Sequence, residues 1–364
     1  MLDFYSTNSL SWDQLEYNTD ELQNLHYGLI HVGLPTAVDM NESILPNIKK
    51  EFLPKNYELC KNGDVAFADA SEDTNEVAKA IEFVNLSNRN VVCGLHTIHG
   101  RDNHNLTSVG FKGYAFASES FHNQIRRIAQ GTKIFSISCK NFTECYIGIP
   151  SKEEQTKIAK LLGLIDERIS TQIRIIEDLK QLRSALYYQI FSSIQGNRVT
   201  LKLVGDIAKG KQINGSELLD EGMYYVMNGG VTPSGYYNDY NTPANTISIS
   251  EGGNSCGYVQ YNSVPFWSGG HCYNLRIKKG FDSQYIFHFL KFKEQEIMAL
   301  RIGSGLPNIQ KKDLEHFQVL VPDITSQKKV SGLFVLINKK EETEMKLMNA
   351  WKMQKRYLSQ KLFI

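Results

Sequence analysis

One long segment of the sequence occurs in two similar copies. Residues 150–191 align without a gap on residues 322–363, at a constant offset of 172 residues. Identical residues occupy matching positions in the pairs Pro150/Pro322, Gln155/Gln327, Lys157/Lys329, Leu161/Leu333, Ile165/Ile337, Thr171/Thr343, Lys180/Lys352, Leu186/Leu358 and Phe191/Phe363. A repeat of this length must be interpreted before any other feature, because overlooking it would lead to a wrong fold. The chain therefore predicts an internal duplication.

Apolar residues within each copy recur at alternating spacings of three and four, which is the pattern of a coiled-coil seam. Each copy opens with proline and a polar residue suited to capping a helix, Ser151 or Asp323. A helix of about 40 residues is roughly 60 Å long, more than a compact small domain needs. We therefore predict two long helices that pack on each other through Ile158, Leu162, Ile165, Ile169, Ile176, Leu179, Leu186, Val330, Phe334, Ile337, Met348, Trp351 and Leu358.

Polar residues interrupt this seam. They are Gln172, Arg183, Glu341, Glu344 and Lys355. Buried polar residues can specify the register of a coiled coil, so one hypothesis is that these residues fix an antiparallel register. The other is that they mark the places where partner proteins dock.

A glycine turn, a strand-like run and a proline precede both helices, since residues 131–150 match residues 303–322 at the same offset. The two regions that precede these turns have almost no sequence similarity to each other. The sequence thus predicts an α+β fold with an internal two-fold repeat. Two globular domains of mixed α/β structure, residues 1–149 and 197–320, alternate with two long helices, residues 150–196 and 321–364, that form an antiparallel coiled coil.

Within the globular domains the sequence predicts short elements. The second domain has strand-like runs separated by Gly, Ser, Asn and Tyr-rich turns, which indicates a small β-rich core. These runs are Tyr224–Met227, Thr246–Ile249, Tyr258–Tyr261 and Tyr273–Ile277. One helix is predicted in each domain, at residues 111–128 and 287–300.

Composition limits the classes of protein open to this chain. The net charge of +1 says little about partners, because a nucleic-acid binder can carry its acidic residues away from its binding face. The six cysteines form no Cys-x-x-Cys pair, which suits a reducing cytoplasm better than a zinc ribbon or a disulfide framework. No apolar run approaches 18 residues. We expect a cytoplasmic protein with no membrane partner.

Sequence signatures of catalysis and metal binding are missing. His96, His99 and His104 have no carboxylate or cysteine at tight ligand spacing, so no metal site is predicted. There is no phosphate-binding loop and no Pro-Pro dipeptide, which excludes the ATPase signature and the Asn/Asp-Pro-Pro-aromatic motif of adenine methyltransferases. Pro322-Asp323 with the later Glu-x-Lys lies on one predicted helix and is a coincidence. We therefore predict no catalytic residue and no cofactor in this chain.

Several segments resemble the specificity (S) subunit of type I restriction–modification systems. IPSKEEQTKIAKLLGLIDERI at residues 149–169, and the Gly-Ser-Gly-x-Pro-x-Ile run at 303–309 leading into LVPDITSQKKV, are similar to the repeats of that family. The segments ADASED and GLHTIHGRDN resemble one type of target-recognition domain. MNGGVTPSGYY, ISEGGNSCGYV and FWSGGHC resemble another. The resemblance covers essentially the whole chain.

The resemblance implies a sequence-specific, non-catalytic DNA-binding subunit. Each variable domain would read one half of an asymmetric bipartite target in double-stranded DNA. The paired helices would set the spacing and dock two adenine methyltransferase (M) subunits, and restriction (R) subunits would join them. S-adenosylmethionine, ATP and Mg²⁺ are expected only in those partners. The family's lead-in segment is found before the second domain, at residues 199–209, and not before the first.

Base readers on DNA-facing loops are expected to be polar, and phosphate contacts to be basic. In the first domain the candidates are His96, Thr97, Arg101 and Asn103, with Lys112 and Lys133 for phosphate; in the second they are Asn228, Ser234, Tyr236, Asn254, Ser255 and His271, with Lys311 and Lys312 for phosphate. An alternative is a coiled-coil adaptor with two protein-binding domains, which predicts no salt-dependent DNA binding. An enzyme with a dispersed site is a third possibility, and the lack of a nucleophile–base pair argues against it.

Overall fold

The computed structural model describes residues 1–19, 21–303, 305 and 307–363. Two residues of the Gly-Ser-Gly-x-Pro-x-Ile run, Ser304 and Leu306, thus lie outside the described residues. The chain divides into two compact units, Met1–Ile173 with Lys346–Ile364, and Arg174–Met345. This division falls inside the two long helices. The domain boundaries predicted at 149/150, 196/197 and 320/321 therefore stay predictions.

The first unit, Met1–Ile173 with Lys346–Ile364, contains two mixed sheets, with strand orders β1-β10-β6-β8-β4 and β2-β5-β3-β9. Its strands are β1 (Asp3–Tyr5), β2 (Leu15–Glu16), β3 (Gln23–Leu25), β4 (Ala37–Asp39), β5 (Asn47–Ile48), β6 (Val65–Ala68), β7 (Ala70–Ser71), β8 (Ala80–Asn85), β9 (Val91–Cys93), β10 (Thr97–Arg101) and β11 (Phe135–Ser136). Its helices are α1 (Tyr27–His31), α2 (Phe111–Phe116) and α3 (Glu119–Ile128), and α4 (Lys152–Ser193) starts in it.

The helix predicted at residues 111–128 is two helices, so the single-helix prediction is wrong. Ser118 separates α2 from α3 with an extended backbone, and its hydroxyl accepts a hydrogen bond from the Phe121 N–H at 3.2 Å. Serine is favoured at this position because its oxygen satisfies an N–H that the helix leaves unpaired. Phe121 then packs with Phe67 and Phe116 in the core of the unit.

The second unit, Arg174–Met345, is built on the sheets β13-β19-β16-β17, β15-β14-β18 and β12-β20. Its strands are β12 (Asn197–Thr200), β13 (Gly205–Lys209), β14 (Tyr224–Met227), β15 (Gly235–Tyr237), β16 (Thr246–Ser250), β17 (Val259–Asn262), β18 (Trp267–Ser268), β19 (Cys272–Ile277) and β20 (Gln318–Val321). Its helices are α5 (Leu201–Val204), α6 (Ser283–Phe292), α7 (Glu294–Met298) and α8 (Lys311–His316), and α9 (Ile324–Leu362) starts in it.

The four strand-like runs predicted in this unit are strands β14, β16, β17 and β19, each within one residue of the prediction. The helix predicted at residues 287–300 is wrong in its bounds, because α6 and α7 meet at Lys293. Short 3-10 turns complete the description, at Trp12–Gln14, Lys50–Phe52, Asn141–Glu144 and Gly215–Glu217.

The strand predicted before each proline forms in only one copy of the repeat. In the second unit, β20 pairs antiparallel with β12 and leads into α9. In the first unit, the matching residues 146–149 are described but form no strand. The side chain of Gln124 instead donates to the Tyr146 carbonyl at 2.9 Å and accepts from the Tyr146 N–H at 3.0 Å. One amide side chain thus takes the place of a pairing strand.

Helices α4 and α9 are 42 and 39 residues long. In the second unit they run antiparallel, because Arg183 contacts Glu341 and, one turn later, Tyr187 packs on Phe334 with ring centroids 4.5 Å apart. All thirteen residues predicted to form the seam are buried or half-buried. The predicted α+β class with two long helices is confirmed. The described helices include none whose length and hydropathy would let it span a bilayer.

Two of the polar interruptions make matching contacts in the two units. Lys355 Nζ lies 2.6 Å from Asp166 Oδ1 in the first unit. Arg183 donates to Asn338 at 3.2 Å in the second unit, and Arg183 and Asn338 are the repeat equivalents of Lys355 and Asp166. Arg183 also donates to Glu341 at 2.6 Å. These contacts support the hypothesis that the interruptions fix the helix register.

A glutamine side chain anchors the start of each long helix. Gln155, only 1% exposed, accepts a hydrogen bond from the Ser108 N–H at 2.7 Å and donates to the Pro150 carbonyl at 2.9 Å. Because Ser108 lies just before α2, the hydrogen bonds of the Gln155 side chain connect the start of α4 to the globular part of its unit.

Gln327 makes the corresponding hydrogen bonds in the second unit, and we call each of these two glutamine anchors a joint. It is 1% exposed, accepts from the Asp282 N–H at 2.9 Å and donates to the Pro322 carbonyl at 2.8 Å. Asp282 is the N-cap of α6. Because Gln155 and Gln327 are an identical pair in the repeat, the duplication preserved a joint as well as a helix.

The end of each long helix also docks on a globular part. Phe191, near the end of α4, packs on Tyr285 of α6 with ring centroids 5.8 Å apart. Its repeat equivalent Phe363, at the end of α9, packs on Phe111 of α2 with centroids 5.7 Å apart. Each globular part therefore holds the start of one long helix and the end of the other.

Candidate nucleic-acid interface

Three loops of the second unit converge at one edge of its sheets. They are the hairpin loop 228–234 between β14 and β15, the turn 251–257 between β16 and β17, and the turn 269–271 before β19; we call them the second-unit loop surface. Asn228 Oδ1 accepts from the His271 N–H at 3.2 Å. The Glu251 N–H donates to the His271 carbonyl at 2.9 Å, which joins the second loop to the third.

Glycines allow these loops to come together. Gly229 has a φ of +86°, which other residues adopt only with strain, and a Cβ there would lie 3.0 Å from the His271 carbonyl oxygen. Its N–H donates to Cys272 Sγ at 3.0 Å, and its carbonyl accepts from the Ser250 hydroxyl at 2.6 Å. Gly253 has a φ of +75° and open space around it. The space on the side of Gly253 where a Cβ would lie is therefore open.

The candidate readers of the second unit lie on this surface or beside it. Asn254 and His271 are exposed, and Asn228 and Ser255 are half-buried. Ser234 is exposed where the hairpin loop ends. Tyr236 is 37% exposed on β15, where its backbone pairs with Leu219; the two predicted phosphate contacts, Lys311 and Lys312, are exposed at the start of α8. Their DNA contacts stay predictions.

Two further lysines border the second-unit loop surface and were not predicted. Lys209 is exposed and lies 2.7 Å from Glu251 Oε1. Lys211 is exposed, and its N–H donates to the Ser268 carbonyl at 2.9 Å, next to the 269–271 turn. The lysine pair around Gly210, at the end of the predicted lead-in segment, was the sequence signal for them.

The first unit presents His96 at the tip of the turn between β9 and β10. Its φ is +53°, an uncommon conformation for a residue with a side chain. The ring is exposed, and its Nδ1 lies 3.0 Å from Asp69 Oδ1. Such strain persists only where the surroundings hold it, and it is common at functional sites. His96 is thus held in a fixed outward position.

A cleft of about 590 Å³ opens beside His96. Short polar side chains, among them Ser6, Asn8 and Asn56, make up part of its wall. These residues were not predicted, because the polar and aromatic start of the chain showed no periodicity. Of the remaining candidates, Asn103 is exposed and donates to Asp3 and Tyr5 at 2.7 Å, and Lys133 is exposed.

Three predicted contacts of the first unit are wrong in their placement. Thr97 and Arg101 were expected on a DNA-facing loop, but they belong to β10, a fully buried strand of the five-stranded sheet. The Thr97 hydroxyl donates to the Gly94 carbonyl at 2.6 Å. Lys112 was expected on phosphate, but it is 2% exposed inside α2. None of these three side chains is available to a nucleic acid in this conformation.

Arg101 instead closes a buried charge network. Its Nε and Nη2 donate to the two carboxylate oxygens of Asp64 at 2.9 and 2.8 Å, and its Nη1 donates to Glu58 at 2.5 Å. The hydrogen bond with Asp64 raises the pKa of Arg101 further above its usual value. Burial alone would raise the pKa of Asp64, but hydrogen bonds from His99 and Arg101 outweigh it and the pKa is lowered. The charges of Arg101 and Asp64 are therefore paired with each other inside the unit.

Lys112 belongs to a second buried pair. Its Nζ lies 3.0 Å from Glu82 Oε1 and donates to the Thr107 hydroxyl at 3.0 Å. Glu82 also accepts from the N–H groups of Gly110 and Gly113, at 2.9 and 2.8 Å. Burial raises the pKa of Glu82 despite these partners. The pair holds the start of α2 on β8.

Comparisons with known proteins identify relatives of one kind. Residues 197–350 match the family model described as type I restriction modification DNA specificity domain. A putative type I specificity subunit of Mycoplasma genitalium is 25% identical over 300 residues, which cover 77% of this chain and 78% of the relative. A putative type I specificity subunit of Mycoplasma pneumoniae is 33% identical over 135 residues, 36% of each chain.

Solved structures share the fold. The crystal structure of the type I restriction–modification S subunit from M. genitalium has a TM-score of 0.66 at 20% identity, covering 100% of this chain and 94% of that chain. A chain from work on complex assembly and conformational transition of the type I restriction–modification system has a TM-score of 0.58 at 15% identity, covering 94% of this chain and 90% of that one. At these identities the likeness establishes the fold alone.

Proposed function

We propose that the chain is a type I specificity subunit, the DNA-recognition subunit of a restriction–modification complex; the match of residues 197–350 to the specificity-domain model and the similarity to the putative specificity subunit of M. genitalium support this. Each globular part reads one half of an asymmetric bipartite target in double-stranded DNA. The long helices provide the docking sites for two methyltransferase subunits, and restriction subunits join that assembly. The chain itself contributes no catalytic residue; S-adenosylmethionine, ATP and Mg²⁺ belong to the partners.

The observation that carries this proposal is the repeated joint. Gln155 and Gln327 fasten the two long helices to their globular parts with the same hydrogen bonds. The loops beyond these joints differ: one unit has a strained histidine beside a polar cleft, and the other has three glycine-rich loops. A scaffold that holds two unlike surfaces in the same way suits a target whose two halves differ.

The chemistry of the exposed loops agrees with base reading. Asn, Ser, Tyr and His side chains offer the donors and acceptors that discriminate base edges in the major groove. Exposed lysines such as Lys209, Lys211 and Lys311 border the second-unit loop surface and would neutralise phosphates. The long helices pack on each other through their seams, and we assign DNA recognition to the loops of the globular parts.

DNA binding by the complex of the chain with its methyltransferase subunits tests this proposal. We expect specific binding that weakens steeply with salt, because phosphate contacts release counterions. Replacing Asn254 and His271 with alanine should lower affinity for the specific duplex by about tenfold or more, since each lost base contact is worth about 1–3 kcal/mol.

Lys279→Ala is the matched control for that double variant. Lys279 is exposed just beyond the far end of β19, the strand that begins next to His271. The control should bind as the wild type does. Binding that does not change with salt, or equal affinity of the double variant and the control, would contradict DNA reading by the second-unit loop surface and favour the protein-binding adaptor.

A further inference from the structure

Three potential metal ligands of the first unit lie together in its core. The ligand atoms of Cys60, Cys93 and His99 are all within 4.8 Å of one another. The residues are 6%, 2% and 0% exposed. Cys93 ends β9 and His99 is the middle residue of β10, while the Cys60 N–H donates to the Val91 carbonyl at 2.8 Å. The sheets thus fix the backbone of all three residues.

The two sulfur atoms have the separation that a shared metal ion requires. Cys60 Sγ and Cys93 Sγ are 3.6 Å apart. A disulfide would bring them to about 2.05 Å. Two thiolates bound to one tetrahedral zinc ion at about 2.3 Å lie about 3.8 Å apart, close to the observed distance. Both cysteines are free thiols in this structure.

One nitrogen of His99 is left without a partner. Nε2 lies 2.7 Å from Asp64 Oδ2, whereas Nδ1 is fully buried and forms no hydrogen bond. A buried polar atom without a partner costs about 1–3 kcal/mol, so native proteins rarely keep one without a reason. If the thiols of Cys60 and Cys93 only packed as small apolar groups, His99 Nδ1 would stay without a partner and its energetic cost would remain.

The surroundings of His99 match those of a metal-bound imidazole. Histidine ligands usually give their second nitrogen to a carboxylate, which fixes the tautomer and directs the first nitrogen at the metal. Asp64 takes that part here, and Arg101 in turn holds Asp64 with hydrogen bonds of 2.8 and 2.9 Å. The arrangement leaves Nδ1 as the atom available to an ion.

We propose that Cys60 Sγ, Cys93 Sγ and His99 Nδ1 bind one Zn²⁺ ion. Thiolate and imidazole ligands select zinc over magnesium or calcium, which prefer oxygen. The two thiols lose their protons to solvent on binding, and water from the cleft that Cys93 lines supplies the fourth ligand. The ion joins β9 to β10 beneath the turn that carries His96.

Metal titration of the full wild-type chain is the first test, since it needs no variant. The chain is reduced, freed of metal with a chelator and titrated with Zn²⁺ against a chromophoric chelator. Co²⁺ serves as the spectroscopic probe. We expect one ion per chain, tetrahedral d–d bands with a thiolate charge-transfer band for Co²⁺, and a higher melting temperature with Zn²⁺. Failure of the reduced chain to bind one ion would overturn the proposal.

Variants locate the site. Cys60→Ser, Cys93→Ser and His99→Gln should each bind Zn²⁺ at least tenfold more weakly than the wild type, and Asp64→Asn about 10–100-fold more weakly. Matched controls are Cys139→Ser and Cys145→Ser, which alter an exposed and a half-buried cysteine of the same unit. The controls should bind as the wild type does.

Two results would contradict the assignment. The first is Zn²⁺ binding of equal strength in the Cys60→Ser, Cys93→Ser and control chains. The second is a chain two hydrogen atoms lighter under reducing conditions, with a cross-linked Cys60–Cys93 peptide in the digest. Neither result depends on DNA recognition, so the zinc site and the proposed function succeed or fail separately.

Discussion

Gln155 in the first unit and Gln327 in the second make the same hydrogen bonds, yet the residues buried beside them have different chemistry. The joint of the first unit lies near the ion pair of Glu82 with Lys112. The joint of the second unit lies near a cluster of aromatic rings, in which Phe191 packs on Tyr285, Phe289 and Phe334. The core chemistry has therefore diverged between the two units, while the helix attachment has not.

The backbone shows the same division. Gly131 and Gly303 occupy matching positions of the repeat, and both have a positive φ, of +132° and +102°. In contrast, residues 146–149 and their equivalents in β20 differ in secondary structure, because only β20 has a pairing strand. The duplication has kept the turn and the helix joint, which a common scaffold needs. It has not kept the strand before the proline in both copies.

The largest effect is expected for the buried ion pair of the first unit. Lys112→Ala leaves Glu82 buried without its cation and should lower the free energy of unfolding by about 3 kcal/mol or more, measured by urea denaturation. Lys133→Ala, which removes an exposed lysine, should change it by less than about 0.5 kcal/mol. Equal curves for the two variants would show that the pair does not stabilise this unit.

Acid should destabilise the second unit through His288. Burial and the nearby Arg183 lower the pKa of His288 to about 3, so it stays neutral in the folded chain. The unfolded chain binds a proton below its usual value near 6.5, and stability is lost as the pH falls from there towards 3. Between pH 7 and pH 5 the loss should be roughly 2 kcal/mol.

His288→Gln should remove this pH dependence, as followed by urea denaturation at pH 7 and pH 5. His316→Gln, in an exposed position of α8, serves as the control and should keep it. A wild type whose second unit is equally stable at the two pH values would contradict the account of a neutral buried histidine.

The two glutamine joints should be equivalent in energy. Gln155→Ala and Gln327→Ala each remove two hydrogen bonds of a buried side chain, and each should cost about 1–3 kcal/mol in urea denaturation. Gln189→Ala, on an exposed position of α4, should cost little. Clearly unequal costs for Gln155 and Gln327 would break the comparison, since one copy would then have lost its anchoring role.

The smallest effect is expected for the polar pairs between the helices. Arg183→Leu should lower the unfolding free energy of the second unit by about 1 kcal/mol, because the Arg183 side chain is 29% exposed and solvent weakens its pair with Glu341. A double-mutant cycle with Glu341→Leu measures the coupling directly, and Arg174→Leu, at an exposed position, is the control. Zero coupling would mean that this contact does not fix the register.

The sequence alone predicted the repeat, both helices and their seam, because gap-free identity and periodicity are visible without coordinates. It did not predict the joints. Gln155 and Gln327 were recognised as identical, but the backbone N–H groups that they accept from lie 47 and 45 residues away in the chain. Periodicity carries no information about such long-range partners.

The candidate site was predicted in part. Glycine-rich loops indicated the second-unit loop surface, and its candidate readers are at least partly exposed. The placement of Thr97 and Arg101 was wrong because β10 is covered on both faces and its polar residues bond inside the unit. The proximity of Cys60 to Cys93 was not predicted, because 33 residues separate them in the chain. Only the sheets bring them together with His99.

The most direct measurement is a methylome. The chain is expressed with its methyltransferase subunit in a host free of adenine methylation, and the genome is sequenced for N6-methyladenine. The account predicts a new asymmetric motif of two separated halves, present only when this chain is expressed. A soluble complex with the methyltransferase subunit that methylates no such motif would contradict it.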